Sequence, residues 1–430
     1  MNKNAWTWIP SLYFAEGLPY VVAMTIAVIM YKNLGMSNTD IAVHTSWLYL
    51  PWVIKPFWSP FVDILKTKRW WVIAMQALLA LSFAAMAFTL YNAVELDFSG
   101  RLTWLGRLTL CVLWVVAFSS ATHDIAADGY YMLALDEHEQ SLFVGIRSTF
   151  YRIASITGQG VLVMLAGFME KRIGVAMAWS AVFALLAAVF AVVCIYHFFI
   201  MPHAEQAHAA AEVDKGEGEL ASLLMSFFHK KDISIAVLFM LLYRLSEALL
   251  AKMSSPFMLD STDAGGLGLT TEQVGFVYGT VGVICLTAGG IIGGLCIARH
   301  GLKFWLWPMA LSITMPDIVY VILSQTAEPS MALITTCVGI EQLGYGFGFS
   351  AYMMYLIYVA RGEHKTSHYA FCTGIMALGM MLPGMTAGWL QTTLGYRNFF
   401  ILVMICTIPT LLLLPLLKID PGFGKKLNSD

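Results

Sequence analysis

The residues with chemistry to offer are ionisable side chains set in otherwise apolar sequence. The run Ala121-Thr122-His123-Asp124-Ile125-Ala126-Ala127-Asp128-Gly129 carries two aspartates four apart. That spacing puts both carboxylates on one face of a helix. Arg147 and Arg152 follow in the next apolar run. With a hairpin apex near residue 137, Asp128 lies nine residues before the turn and Arg147 ten after, while Asp124 lies thirteen before and Arg152 fifteen after. At about 1.5 Å per helical residue these depths match, so the spacing predicts the pairs Asp128–Arg147 and Asp124–Arg152. Three uses of such a group stand open. It could be a salt-bridge ladder that holds two helices in register. Its pairs could break and re-form as a carrier changes state, one carboxylate carrying a proton. A metal site of His123, Asp124 and Asp128 is disfavoured, because adjacent residues 123 and 124 point apart on a helix.

The elements that must position these groups are membrane spans. Of 430 residues, 59% are hydrophobic and only 12% charged, with a mean hydropathy of +0.71 and a net charge of −2. Soluble domains carry about 45–50% apolar and about 25% charged residues, so this balance excludes an ordinary soluble enzyme, a nucleic-acid binder and a disordered scaffold. The 13 Trp, 18 Tyr and 26 Phe residues are ample for aromatic belts at two membrane interfaces. Seven cysteines, all in apolar runs and without a CxxC pair, argue against a disulfide framework or a zinc site. The opening MNKNAWTWIP lacks a cationic region followed by a cleavage site, so the first apolar run is expected to stay as a helix.

A span needs about 20 apolar residues. Twelve runs qualify: 9–31, 39–62, 70–92, 104–133, 140–168 and 173–200, then 232–259, 270–298, 303–325, 330–360, 366–391 and 396–418. The polar, acidic stretch 201–231 separates them, giving a six-helix bundle at 1–200, a cytoplasmic linker at 201–231 and a second six-helix bundle at 232–430. With both termini inside, fourteen lysines and arginines fall in cytoplasmic segments against six outside, as the positive-inside rule requires.

A charge at mid-bilayer costs at least about 2.5–3.5 kcal/mol, so each needs a partner or a wet cavity. The intramembrane cations are Lys55, Arg147, Arg152, Arg244 and Lys252; the acids are Glu16, Asp124, Asp128, Glu247, Asp317 and Glu341. This near-balance predicts pairing. Glu16 precedes Gly17-Leu18-Pro19, which would loosen its helix, and helix breaks at the midplane mark binding sites; a satisfied contact to Lys55 or to the backbone is the plainer alternative. Asp317 follows Pro316 in the ninth span and has no role in this scheme. The halves echo one another. Tyr13 and Glu16 correspond to Tyr243 and Glu247, Gly129-Tyr-Tyr-Met132 to Ala351-Tyr-Met-Met354, and Ile173-Gly174 to Leu394-Gly395. The expected fold is all-α and membrane-integral, a 12-helix major facilitator fold with a 6+6 pseudo-repeat.

Leu50-Pro-Trp-Val-Ile-Lys55-Pro-Phe-Trp-Ser-Pro-Phe-Val-Asp63 resembles the second-helix signature of the AmpG muropeptide permease and acetyl-CoA transporter family. Asp124-Ile-Ala-Ala-Asp128-Gly129 is similar to its fourth-helix signature, and Gly145-Ile-Arg147 and Tyr151-Arg152 also match. These motifs lie mainly within 11–170; the second half resembles the family only in plan, and twelve spans are fewer than the best-known muropeptide permeases carry. Asp63 with Lys68 and Arg69 resembles the helix 2–3 latch of major facilitators. The resemblance implies proton-driven import of anhydro-muropeptides across a bacterial inner membrane for wall recycling, with siderophore or other peptide-like import as the family's alternative. On that reading Glu16, Asp124 and Asp128 are the coupling or switch carboxylates. Lys55, Arg147, Arg152, Arg244, Glu247, Glu341, Tyr13 and Tyr243 are counter-charges or substrate contacts. No cofactor is expected, the proton gradient supplying the energy; the partners are a small-molecule substrate and the lipid bilayer, with no nucleic acid, and the chain is expected to be a monomer. The rival class, an intramembrane enzyme such as an acyltransferase, would need a nucleophile or metal constellation, and the histidines here are scattered.

Overall fold

The computed structural model describes residues 5–92, 104–135, 137–203, 225–362 and 365–425. Most of the expected linker 201–231 therefore lies outside the described residues, as does the side chain of Asp63. All regular structure among the described residues is helical. Ten helices are long and apolar enough to cross a membrane. Two features bring the helical segments to the twelve expected spans. The segment 38–65 is divided into Asn38–Trp47, Leu50–Val53 and Lys55–Leu65, because Pro51 and Pro56 have no N–H to continue the ladder. The long helix Lys365–Ile405 is really two, bent where Gly395 takes φ 73°.

In chain order the segments are α1 (Ala5–Asn33), α2 (38–65), α3 (Lys68–Asn92), α4 (Trp104–Ala134), α5 (137–173) and α6 (Val175–Ile200). Then follow α7 (Ile233–Leu259), α8 (Thr271–His300), α9 (Leu302–Leu323), α10 (Met331–Ala360), α11 (365–394) and α12 (396–416). Gly174, at the α5–α6 corner, has φ 82°, matching Gly395 at α11–α12; both sharp corners use a conformation that favours glycine.

Packing divides the chain into two units: Met1–Ser37, Ile54–Glu217 and Thr271–Gly275 in one, and Asn38–Val53, Gly218–Thr270 and Phe276–Asp430 in the other. The first unit closes around Trp8, Leu12, Tyr13, Val72, Ala126 and Tyr130. The second closes around Phe239, Tyr243, Met309, Ile313, Tyr352 and Leu356. Large apolar side chains point outward, Phe88 being 72% and Leu412 69% exposed, while many of the polar ones turn in. That inversion suits a hydrocarbon solvent.

Close helix contacts are set by glycine. A Cβ on Gly158 of α5 would stand 2.6 Å from Val21 Cγ1 of α1, and one on Gly17 would stand 3.1 Å from the Tyr151 carbonyl. In the second unit α10 carries glycine on two faces. Gly346 lies where a Cβ would be 2.0 Å from the Leu286 carbonyl of α8, and Gly344 where it would be 2.2 Å from the Ser312 carbonyl of α9. Small residues permit such backbone approach in membranes. Three widened π turns interrupt the helices, at Val22–Ile26, Thr157–Leu162 and Gly275–Gly282. The first follows Pro19 of α1, which removes one backbone donor.

Candidate functional site

The first unit gathers its charges between α1, α2, α4 and α5. Lys55 opens the helix Lys55–Leu65 immediately after the break in α2, and its ammonium donates to Asp124 Oδ2 in a close ion pair. One turn on, Asp128 Oδ1 accepts from Arg147 Nη2 at 2.8 Å and from the Tyr13 hydroxyl at 3.1 Å. The Arg147 guanidinium lies 4.5 Å from the Tyr13 ring centre and 5.2 Å from that of Tyr131, so two aromatic faces hold the cation in place. Glu16, 7% exposed, reaches the Asp124 carboxyl on α4, and its Oε2 makes no hydrogen bond. Three carboxyls and two cations thus meet in one cluster.

Of the two predicted pairs, Asp128–Arg147 forms and Asp124–Arg152 does not. The cation on Asp124 is Lys55. Counting along the α4–α5 hairpin gives depth but not rotation about the α5 axis: Arg152 lies five residues beyond Arg147 and so points about 140° away from it. Nor is Glu16 satisfied by Lys55, which turns to Asp124 instead.

Behind this cluster a chain of buried polar groups crosses the unit. Ser11 Oγ is 2.9 Å from His197 Nε2, His197 Nδ1 is 2.9 Å from the Gln76 amide nitrogen, and that nitrogen is 3.0 Å from His123 Nε2. His123 is fully buried beside Asp124 and ties α4 to Gln76 of α3, which in turn reaches His197 of α6. The His123 Nε2 is thus taken up by Gln76, and His123, Asp124 and Asp128 are not among the described groups whose ligand atoms gather closely enough to hold a metal.

The second unit has a different composition. Glu247 of α7, Asp317 of α9 and Glu341 of α10 each offer a carboxylate oxygen within 4.8 Å of the others, and all three side chains are buried. Asp317, given no role by its place in the sequence, belongs here. The short 3-10 turn Met315–Asp317 around Pro316 interrupts α9 and turns the carboxylate inward. Arg244 Nη2 donates to the Tyr345 hydroxyl, and its guanidinium lies 5.0 Å from the Phe349 ring centre. Tyr243 is a core residue: it stacks on Tyr352 at 4.9 Å and donates to the Gly348 carbonyl at 2.9 Å. Lys252 departs from the expected pairing of charges. Its ammonium donates to Thr45 Oγ1 at 2.9 Å and lies 5.2 Å from the Tyr49 ring centre, with no ion pair among the described residues.

A family model described as Major Facilitator Superfamily matches residues 11–382. The chain belongs to the Major Facilitator Superfamily. It is accordingly a multi-pass membrane transporter and not an enzyme. It is 26% identical over 415 residues to the anhydromuropeptide permease of Escherichia coli (strain K12), covering 94% of this chain and 77% of that one. A Rickettsia conorii protein called AmpG 4 is 25% identical over 417 residues, covering 94% of both. Among solved structures, a point mutant of the nucleoside transporter NupG superposes with a TM-score of 0.72 at 16% identity, over 96% of this chain and all of that one.

Within this superfamily member the expected latch is only partly described. Arg69 donates to the Met201 carbonyl at 3.1 Å and to the Phe198 carbonyl, so it caps the end of α6. The Lys68 side chain runs alongside Gly129 of α4. Sequence reading missed Tyr131, Gln76 and His197, none of which is charged in an apolar run. It also missed two outer clusters. Glu170 accepts from Asn33, Trp179 and Thr271 in the first unit; Asn38 and Tyr396 meet on Asp260 in the second.

Lys55→Met is expected to lower stability by roughly 2 kcal/mol, less than the ~3–5 of a fully buried pair because about a quarter of the Lys55 side chain is exposed. Adding Asp124→Asn should recover most of that loss. Thermal unfolding of the two variants in detergent checks it; independent, additive losses would show that the two residues are not coupled.

Proposed function

We propose that the protein imports anhydro-muropeptides, driven by protons, across a bacterial inner membrane with both termini in the cytoplasm, as a monomer. The observation that carries this reading is the likeness to the anhydromuropeptide permease along 94% of the chain. The charge cluster of the first unit supplies the mechanism. Glu16, Asp124 and Asp128 bring three negative charges against the two positive charges of Lys55 and Arg147. One added proton makes the cluster neutral, and an unbalanced charge in hydrocarbon is costly. The contact between Glu16 and Asp124 is the place for that proton, since two carboxyls in contact do not both ionise readily. Acidic groups of a muropeptide would then compete for Lys55 and Arg147, exchanging partners with the aspartates during the cycle.

The test is uptake of labelled anhydro-muropeptide by proteoliposomes under opposed proton gradients. Accumulation only with the acidic side outside is expected. Uptake that ignores the gradient would remove proton coupling. Absence of uptake in either direction would remove the substrate and turn the search to siderophores and other peptide-like metabolites.

A further inference from the structure

We propose that Glu247, Asp317 and Glu341 form a binding site for a divalent cation of calcium size. The proposal concerns the second unit and is independent of the proton cluster. Three observations converge. The carboxylate oxygens come from α7, α9 and α10 and lie within 4.8 Å of one another. A shared ion with oxygen ligands at about 2.3–2.6 Å requires that spacing. Both oxygens of Asp317, 2% exposed, and Glu247 Oε2, 5% exposed, have no hydrogen-bond partner. The fully buried Tyr320 hydroxyl faces Glu341 from the turn after Asp317. The Gln342 amide nitrogen donates to both Glu341 oxygens, at 2.9 and 3.2 Å, while the unpartnered oxygens of Asp317 and Glu247 face that carboxylate in a dry interior, where like charges repel strongly; a bound ion would remove that repulsion.

The ligand set selects the class of ion. Only oxygen is offered, and no cysteine or histidine among the described residues joins the group, which disfavours zinc and the later transition metals. Magnesium keeps several waters and dehydrates reluctantly, whereas this site is enclosed by protein. Charge fits as well. Three carboxylates and the nearby Arg244 sum to −2, which one divalent ion neutralises. Ser246, adjacent to Asp317, offers a further hydroxyl oxygen. Such an ion would tie three helices of the unit together at the broken turn of α9.

The test uses the full-length protein purified in detergent, stripped with chelator and titrated with calcium chloride. The melting temperature should rise by several degrees with calcium but not with sodium or choline chloride at equal ionic strength. Terbium luminescence, excited through neighbouring tyrosines, should appear and be displaced by calcium. Both signals should vanish in Asp317→Asn and persist in Asp124→Asn, which leaves the second unit untouched. Glu341→Gln provides a second, independent variant with the same expected loss. A melting temperature that responds to pH alone, with no calcium effect and no terbium signal, would overturn the proposal and leave the three carboxyls sharing protons. Calcium effects that survive in both variants would place the ion elsewhere and overturn it equally.

Discussion

Asp124→Asn is expected to reduce substrate accumulation about 100-fold or more, equivalent to ~2.7 kcal/mol at the affected step. Asp124 takes the Lys55 ammonium on one side and faces the Glu16 carboxyl on the other. Asparagine keeps the shape and a hydrogen bond to Lys55 but cannot carry a charge or exchange a proton, so the fold should survive. Downhill exchange of substrate across the membrane should persist, since it needs no net proton movement. The measurement is a pair of proteoliposome assays, uphill uptake and substrate exchange, on protein whose elution profile matches the parent. Near-normal uphill uptake would sink the assignment of Asp124. Loss of exchange as well would make it a substrate contact instead.

Gly346→Val should be among the most damaging substitutions in the second unit. Even a Cβ there would lie 2.0 Å from the Leu286 carbonyl, and the reciprocal Gly289 would place one 2.1 Å from the Leu343 carbonyl. Both obstacles are backbone, which cannot rotate away as a side chain can. Overpacking of a yielding core costs about 1–3 kcal/mol; here α8 and α10 would have to separate along their length, so little folded, monodisperse protein should be recovered. Gly294→Ala is the control, because no atom lies within 4 Å of its Cβ position; its yield and melting temperature should match the parent. Equal yields for the two variants would show that the α8–α10 approach is not what the fold depends on.

How much of this could be read from the sequence follows from range. The spans were legible because hydropathy is a local property, and even the split of α2 is foreshadowed by Pro51 and Pro56. Asp128–Arg147 was legible because both residues lie on one hairpin, where counting gives depth. Lys55–Asp124 was not, because it depends on how α2 restarts after its break, and no count along one helix contains that. The acid group of the second unit was two-thirds visible in Glu247 and Glu341. Asp317 was hidden because its direction is set by a 3-10 turn rather than by helical phase. Hydroxyl and amide partners such as Tyr131 and Gln76 carry no signal in an apolar run at all.

The membership of residues 38–53 and 271–275 bears on whether the protein survives being cut. The chain crosses between its two packing units after residues 37, 53, 217, 270 and 275, so each side of the acidic stretch 204–224 visits both. A protease nick within that stretch would produce two fragments that are both threaded through both units. The nicked protein should still migrate as a single particle in mild detergent and separate only on denaturation. Neither fragment expressed alone would be self-sufficient, since each would lack a segment its own bundle needs and would carry one that belongs to the other.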